Sequence, residues 1–314
     1  MASIYDTIEQ TACELYIRAL QEIPQDIRAA LARGQKAEIE QQNETASQMM
    51  LTILNNIEVA DRDHTLVCQD TGLPIFHVTV GSDAPVSIPE LKDALSRGCA
   101  RATRERPLRS NTVHPLTRKH TGNNTGVGIP VVHFDFVSGS SEIELQLAPK
   151  GSGSENMSFL KMLNPSDGIR GIHRFVLQCV FESGARPCPP VIVGIGLGGT
   201  SDVASGLAKR ASSFRKIGTK NPDPDVARLE EELLREINQT GIGPQGLGGA
   251  TTALAVHIDW AHTHISQNPV AVNMQCWRGE RAEAVITASG EVRFPQDEIP
   301  AITNPQDELV GATN

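Results

Sequence analysis

Three of the chain's six cysteines lie at the ends of short apolar runs. Cys68 follows Thr65–Val67 and opens the stretch Cys-Gln-Asp-Thr-Gly, Cys188 stands shortly before an apolar run, and Cys276 stands shortly after another. The other three lie within helical patterns, where a thiol is normally a small packing group. These core cysteines are Cys13, Cys99 and Cys179. The first three are therefore the thiols that could do chemistry.

The sequence leaves three roles open for Cys68, Cys188 and Cys276. They could be buried packing groups, nucleophiles or metal ligands. No Cys-x-x-Cys spacing typical of zinc or ferredoxin sites is present, so spacing alone does not establish a metal site. Three thiolates are one ligand short of the four that hold a [4Fe-4S] cluster, so such a cluster would keep one iron open to substrate. An open iron acts as a Lewis acid toward a carboxylate and a hydroxyl.

Polar groups follow Cys68 directly. Gln69 and Asp70 supply hydrogen-bonding and acid/base groups next to the thiol. Asp70 could instead cap a turn. Two polar glycine-rich loops, 120–126 and 150–156, suit either a solvated surface or backbone contacts to an anion.

A nucleotide-binding interpretation rests on a Gly-x-Gly-x-x-Gly match at Gly194, Gly196 and Gly199, between a predicted strand and a predicted helix. The same pattern recurs at 241–246, so it arises easily in this glycine-rich chain. The acidic residues that follow lie in a proline-rich loop rather than after a second strand, which disfavours a dinucleotide site.

Periodicity predicts an α/β, or mixed α+β, fold in which a helical layer over residues 1–60 precedes sheets with helices over 61–300. The second part, 61–300, contains the three cysteines that could form a cluster site. Val131–Val137 and Glu142–Leu147, joined by Ser-Gly-Ser-Ser, predict a hairpin, and Val285–Val292 predicts another. Asp225–Thr240 predicts a helix, and most of its many charges are predicted to form a solvated face. His257 lies on an apolar run and is predicted to be a core histidine, and 301–314 is predicted to be a polar tail.

Composition excludes several classes of protein. The 314 residues carry a net charge of −9, and no long run of Lys and Arg is present, which argues against a nucleic-acid surface. The N-terminus lacks a basic segment followed by an apolar one, and no stretch approaches the ~20 apolar residues of a membrane span. Few, dispersed cysteines disfavour a disulfide framework. These features predict a cytoplasmic protein.

Six motifs in order carry a resemblance to a known family. They are CQDTG at Cys68, HTGNNTGVGIP at His120, PKGSGSENMS at Pro149, CPP at Cys188, GIGPQGLGG at Gly241 and QCW at Gln275–Trp277. Together they resemble the α subunit, or N-terminal catalytic domain, of class I iron-sulfur fumarate hydratases and L-tartrate dehydratases. The resemblance extends from about residue 5 to about residue 295.

The resemblance implies an oxygen-sensitive [4Fe-4S] cluster held by Cys68, Cys188 and Cys276, with one iron that lacks a protein ligand. It also implies substrate-binding and catalytic roles for residues within the matching motifs. The substrate-binding residues are Gln69, Asp70, Arg109 and the backbone at Gly151, and the catalytic residues are Asp70 and His264. The Arg109 guanidinium offers a bidentate fork for a carboxylate. The alternatives are an ordinary loop cation for Arg109 and a surface position for His264, which lies in a polar segment.

In the family a further domain, fused or separate, supplies the proton-abstracting base and additional substrate contacts. This chain ends at Asn314 without it, so we expect an α subunit that needs a β subunit, assembled as a dimer of heterodimers. The implied reaction is reversible hydration of fumarate to (S)-malate, with the PKGSGSENMS loop favouring fumarate over L-tartrate or mesaconate. The rival hypotheses are a cluster-binding or regulatory protein without turnover and a nucleotide-binding enzyme.

Overall fold

The computed structural model describes residues 3–298, and the predicted tail at 301–314 lies outside this range. Contacts divide the described chain into two compact units. The first comprises residues 3–24, 59–151 and 280–298, and the second comprises 25–58 and 152–279. Within 3–298, no helix combines the length and the apolar character that crossing a membrane would require.

Helices and strands alternate along most of the chain. The helices are α1 (Ile4–Gln21), α2 (Gln25–Glu40), α3 (Glu44–Asp63), α4 (Ile88–Glu105), α5 (Ser152–Glu155), α6 (Gly168–Ser183), α7 (Ser201–Phe214) and α8 (Pro224–Asn238). The strands are β1 (Leu73–Gly81), β2 (Val131–Val137), β3 (Ile143–Lys150), β4 (Ser158–Leu163), β5 (Val191–Gly198), β6 (Ala253–Ala261), β7 (Asn268–Gln275), β8 (Ala282–Ile286) and β9 (Val292–Arg293).

The first unit is a five-stranded sheet of order β2-β1-β3-β8-β9 with α1 and α4 packed on one face. Helix α1 begins with a capping box, in which the Asp6 N–H donates to Ser3 Oγ and the Ser3 N–H donates to the Asp6 carboxylate. Apolar residues at helical spacing then face the sheet. The core therefore forms between alternate residues of the strands and the inner faces of the two helices.

The predicted hairpin between Val131–Val137 and Glu142–Leu147 is wrong, because the two strands are not neighbours. Strand β1 lies between them, pairing parallel with β2 (Ile75 beside Val131) and antiparallel with β3 (Ile75 beside Ala148). Alternating apolar residues identify a strand and its buried face but not its partner. The second predicted hairpin is confirmed, since β8 and β9 pair antiparallel.

The second unit contains a four-stranded sheet of order β4-β7-β5-β6 that is covered on both faces. Helices α6 and α8 pack on one face and α7 packs on the other. His257 on β6 is 2% exposed, and its Nδ1 lies 3.1 Å from the Ala211 carbonyl oxygen of α7. The interpretation of His257 as a core histidine is therefore confirmed.

Close packing of α7 accounts for two glycines of the first Gly-x-Gly-x-x-Gly match. A Cβ on Gly196 would lie 1.9 Å from the Ala204 carbonyl oxygen, and one on Gly194 would lie 2.1 Å from the Ala208 carbonyl oxygen. The backbone of α7 thus occupies the space that a bound pyrophosphate would need at these two positions. These glycines allow a helix to approach a strand, which removes the main support for a nucleotide site.

The charged face of α8 is less solvated than its composition suggests. Glu230 is only 7% exposed and accepts hydrogen bonds from Arg215 NH1 at 2.7 Å and from the Ile258 N–H at 2.6 Å. Glu230 is therefore an exception to the predicted solvated face, because its carboxylate is buried with hydrogen-bond donors that compensate for the loss of water.

The mixed α/β fold class is confirmed, with α1, α2 and α3 forming the N-terminal helices. The division into a helical layer over 1–60 and a cluster-binding part over 61–300 stays a prediction. Strand β4, which pairs with β7, was not identified from the sequence.

Gly196→Ala should destabilise the protein by about 2 kcal/mol, because the added methyl group overpacks the contact between β5 and α7. Gly206→Ala is a matched control, since Gly206 lies in α7 with open space around its Cβ position. This control should stabilise the protein by about 0.5–1 kcal/mol through helix propensity. Urea unfolding measures both changes, and equal stability of the two variants would contradict the proposed close approach.

Candidate functional site

The Cys-Gln-Asp-Thr-Gly stretch forms a loop of the first unit between α3 and β1. Residues 65–67 do not form a strand, so the loop enters β1 from irregular backbone. Cys68 and Asp70 are half-buried, Gln69 is exposed, and Thr71 is fully buried. The loop therefore presents its first three side chains toward the surface and anchors itself through Thr71.

Thr71 is held by three hydrogen bonds. Its hydroxyl donates to the Arg109 carbonyl oxygen at 2.7 Å and accepts from Asn111 Nδ2 at 3.0 Å, while the Tyr16 hydroxyl donates to the Thr71 carbonyl oxygen at 3.1 Å. Burial raises the pKa of Tyr16 well above its usual range. Because the Tyr16 hydroxyl therefore stays protonated, it remains a donor across the physiological pH range.

Asp70 is fixed by the same neighbours. Its Oδ1 accepts from Asn111 Nδ2 at 3.0 Å and from the Gly72 N–H at 3.0 Å. Gly72 has a φ of +62°, and a Cβ there would lie 2.7 Å from the Lys150 backbone nitrogen. The loop can therefore lie directly against the end of β3 only with glycine at position 72. This contact brings Asp70 and the Lys150–Gly151 backbone into one neighbourhood.

Arg109 reaches this neighbourhood through its backbone. Its carbonyl oxygen accepts from Thr71 Oγ1 and from Asn124 Nδ2, the latter at 2.9 Å, while its side chain is exposed. Asn124 is fully buried and also accepts from the Asn111 N–H at 2.7 Å. The loop containing Asn124 thus holds the backbone that carries Arg109.

Sequence reasoning missed Asn111 and Asn124 as residues that shape this site. Their signal was weak, since asparagines in polar loops are common and nothing in the spacing relates them to Asp70. Next to Asn111, the hydroxyl oxygens of Ser110 and Thr112 are buried without a hydrogen-bond partner among residues 3–298. Buried hydroxyls of this kind mark a place where water or a polar ligand can bind.

Cys188 and Cys276 are brought together in the second unit. The Trp277 N–H donates to the Cys188 carbonyl oxygen at 3.3 Å. Strands β5 and β7 are antiparallel neighbours with Ile192 beside Gln275, so the start of β5 and the end of β7 share one edge of the sheet. Cys188 is exposed and has a φ of +57°, and Cys276 is half-buried. The two thiols therefore stand on adjacent backbones at one sheet edge.

His264 lies at the opposite edge of this sheet. It follows β6, whose residue Trp260 pairs with Leu197 near the end of β5. The segment from Ile192 to Leu197 alone spans about 16 Å at ~3.3 Å per residue. His264 is exposed, and its Nδ1 lies 2.8 Å from Ser266 Oγ. Within this unit the structure does not bring His264 to the two cysteines, and its catalytic role stays a prediction.

Burial separates the three core cysteines from the others. It raises the pKa of Cys13 to about 11 and that of Cys179 to about 12, and it also raises the pKa of Cys99. Thiols with raised pKa values resist ionisation and are poor ligands, because metals bind the thiolate. Cys68, Cys188 and Cys276 are half-buried or exposed, so their thiols fit a cluster better.

Among the described residues, no group of three or more His, Cys, Asp and Glu side chains is arranged to hold a single metal ion.

A buried side-chain amide beside Cys276 has a hydrogen-bond donor that is unpaired within residues 3–298. Gln275 is fully buried, and its Oε1 accepts from the Cys276 N–H and from Ser154 Oγ, each at 3.3 Å. Its Nε2 has no hydrogen-bond partner in the part of the chain that the structure describes. A buried donor without an acceptor is uncommon in native proteins, and it is compatible with a group that binds next to Cys276.

Iodoacetamide at pH 8 should alkylate Cys68, Cys188 and Cys276 in the native apoprotein and spare the core cysteines. A thiol with a pKa of about 11, as for Cys13, is ionised in about one molecule in a thousand at this pH. Raising the pH toward 11 should bring Cys13 into reaction as its thiolate forms. Peptide mass spectrometry identifies the alkylated positions, with urea-unfolded protein as the fully reactive control. Early labelling of Cys99 or Cys179 would contradict this sorting.

Asn111→Ala should loosen the 68–72 loop, because it removes the Nδ2 group that donates one hydrogen bond to Asp70 and one to Thr71. We expect amide hydrogen exchange in a peptide that contains residues 68–72 to accelerate about tenfold, for a local loss of roughly 1.4 kcal/mol. Asn123→Ala is the matched control, since the Asn123 amide oxygen accepts from Thr125 and not from the loop. Equal exchange in the two variants would contradict the anchoring role of Asn111.

Comparison with known proteins agrees with the resemblance. The family model described as fumarate hydratase (Fumerase) matches residues 9–285. The chain is 44% identical over 277 residues to the putative L(+)-tartrate dehydratase subunit alpha of Methanocaldococcus jannaschii, which covers 88% of this chain and 96% of that protein. It is 36% identical over 237 residues to the L(+)-tartrate dehydratase subunit alpha of Escherichia coli, covering 76% and 78% respectively. The chain therefore belongs to the fumarate hydratase (Fumerase) family.

Proposed function

We propose that the chain is the α subunit of a hydro-lyase that removes water from, or adds it to, a four-carbon dicarboxylate, with L-tartrate as the leading substrate. The match along residues 9–285 carries this proposal. Both relatives described above are named L(+)-tartrate dehydratase subunit alpha, and these similarities extend over most of the chain. They outweigh the single PKGSGSENMS loop, which favours fumarate. Fumarate and mesaconate are the alternative substrates.

Cys68, Cys188 and Cys276 would hold a [4Fe-4S] cluster. Two observations support this assignment: Cys188 and Cys276 lie on adjacent backbones, and burial disfavours ionisation of the three other thiols. When bound, a cluster with one iron free of protein ligands supplies a Lewis acid for a substrate carboxylate and hydroxyl. A cluster with an open iron is also sensitive to oxygen.

The chain's own residues would bind and orient the substrate. The exposed Arg109 guanidinium can form a bidentate pair with one carboxylate. Gln69 and the backbone at Gly151 would donate hydrogen bonds to the dicarboxylate, beside the Asp70 carboxylate. The hydrogen bonds from Asn111 and Gly72 to Asp70 Oδ1 keep this side chain in one orientation, which favours proton transfer at a defined oxygen. His264 is the second proposed proton-transfer residue.

A β subunit would supply the base that abstracts the proton from carbon and further cationic contacts to the carboxylates. The names of both relatives designate alpha subunits, which supports a partnered enzyme. A dimer of heterodimers is the assembly we propose. The rival hypothesis of a cluster-binding protein without turnover predicts the same colour and iron content but no consumption of any dicarboxylate.

Cys68→Ser, Cys188→Ser and Cys276→Ser should each lose the cluster, because each removes a thiolate ligand. Cys13→Ser is the matched control and should retain it, since Cys13 is a core residue. Anaerobic purification should give brown wild-type protein with equal iron and sulfide that bleaches in air. Iron and sulfide analysis with visible absorption measures the loss. Retention of the cluster by all three variants would show that the ligands are other residues.

Activity should appear only when the reconstituted chain is combined with its β subunit. A panel of L-tartrate, fumarate and mesaconate, followed by product formation under anaerobic conditions, identifies the substrate. We expect the highest kcat/KM with L-tartrate. A higher value with fumarate would reverse the order of the two substrates. Turnover by the chain alone would contradict the requirement for a β subunit, and turnover of no substrate by the cluster-loaded complex would favour the rival hypothesis.

A further inference from the structure

We propose that the side-chain amide of Gln275 is a positioning residue that donates a hydrogen bond to a sulfur atom of the metal group held at Cys276. This inference rests on the proposed function, because it concerns the same cluster. Gln275 would not be a ligand of the cluster. Its hydrogen bond would instead slow the loss of iron and raise the reduction potential of the cluster.

The orientation of the Gln275 amide follows from its neighbours. Oxygen and nitrogen of a glutamine side chain are distinguished by their hydrogen-bond partners. A backbone N–H can only donate, so the atom 3.3 Å from the Cys276 nitrogen must be the acceptor Oε1. Ser154 Oγ donates to the same oxygen at 3.3 Å. The NH₂ group therefore lies on the other branch of the amide, with its donors unused by these contacts.

The surroundings of Gln275 leave its donors no ordinary acceptor. The residue is 0% exposed, so bulk water does not reach the amide, and Nε2 has no partner among residues 3–298. Gln275 is the last residue of β7 and is paired with Ile192, which fixes its backbone at the edge that carries Cys188 and Cys276. A group bound at that edge is the acceptor that such a buried donor lacks.

Sulfur is the acceptor that the proposed function supplies at this edge. Hydrogen bonds to cluster sulfurs offset negative charge and raise the reduction potential. Partners of this kind also orient the ligands and contribute to retention of the metal. The Cys276 N–H is the backbone donor to the amide oxygen, and the Ser154 hydroxyl is a second donor to the same atom. The glutamine thus connects the α5 turn to the residue that would bind the metal.

The test uses the cluster-loaded complex of both subunits. Gln275→Glu keeps an acceptor oxygen for the Cys276 N–H and removes the NH₂ donors, while Gln275→Met removes the donors without adding charge. We expect both variants to lose iron to a chelator about tenfold faster than the wild type. We also expect a lower reduction potential in an EPR-monitored titration, with the larger decrease in Gln275→Glu because of its added charge.

Ser154→Ala is the matched control. It removes the other hydrogen bond to Oε1 and leaves the Nε2 donors and the Cys276 N–H contact in place, so potential and iron retention should stay near the wild-type values. Wild-type retention and potential in Gln275→Glu would overturn the proposal, even if Gln275→Met failed to fold. A wild-type complex that builds no cluster would instead refute the proposed function, so the two failures are distinguishable.

Discussion

The antiparallel pairing of β5 and β7 is the constraint on which the second unit's candidate site depends. Cys188 and Cys276 are remote in sequence, yet one precedes β5 and the other follows β7. Antiparallel neighbours place the start of one strand and the end of the other at the same edge, and the pair Ile192–Gln275 fixes the register. A shift of the β5–β7 register by one residue would move the Gln275 side chain to the other face of the sheet. Because both faces are packed, such a shift would also disrupt the core, so core packing helps to keep the site's geometry.

In the first unit, side-chain hydrogen bonds rather than strand pairing fix the backbone of the candidate site. Its 68–72 loop has no ladder of backbone hydrogen bonds, and its conformation depends on Thr71, Asn111 and Asn124, which hold one another and the backbone at Arg109. Networks of this kind define a single conformation when every buried group has a partner, because each unpaired group would carry a desolvation cost. The loop is thus ordered by polar contacts, whereas the strand edge of the second unit is ordered by the sheet.

The sequence predicted those features that local patterns determine. Helical periodicity predicted the N-terminal helices and α8, and the pattern on either side of the glycines at 194–199 predicted strand β5 and helix α7. The partners of β2 and β3 could not be predicted, because β1 inserts between them through contacts that no local pattern encodes. Asn111 was missed for the same reason: its importance comes from a contact to Asp70 across 41 positions of sequence. Glu230 was misjudged because burial depends on Arg215 and β6, which the pattern of α8 does not contain.

Burial also decides which cysteines the chain can offer to a metal. Cys13, Cys99 and Cys179 pack in helices α1, α4 and α6, and the same loss of water that stabilises those cores raises the pKa of each thiol. Ionising such a thiol would place a charge in an apolar environment, so burial in these helices disfavours metal binding by the three core thiols. Cys68, Cys188 and Cys276 escape this restriction because they lie in loops and are half-buried or exposed. A chain with six thiols is thereby reduced to three available ligands, which is the number that leaves one iron of a four-iron cluster open for substrate.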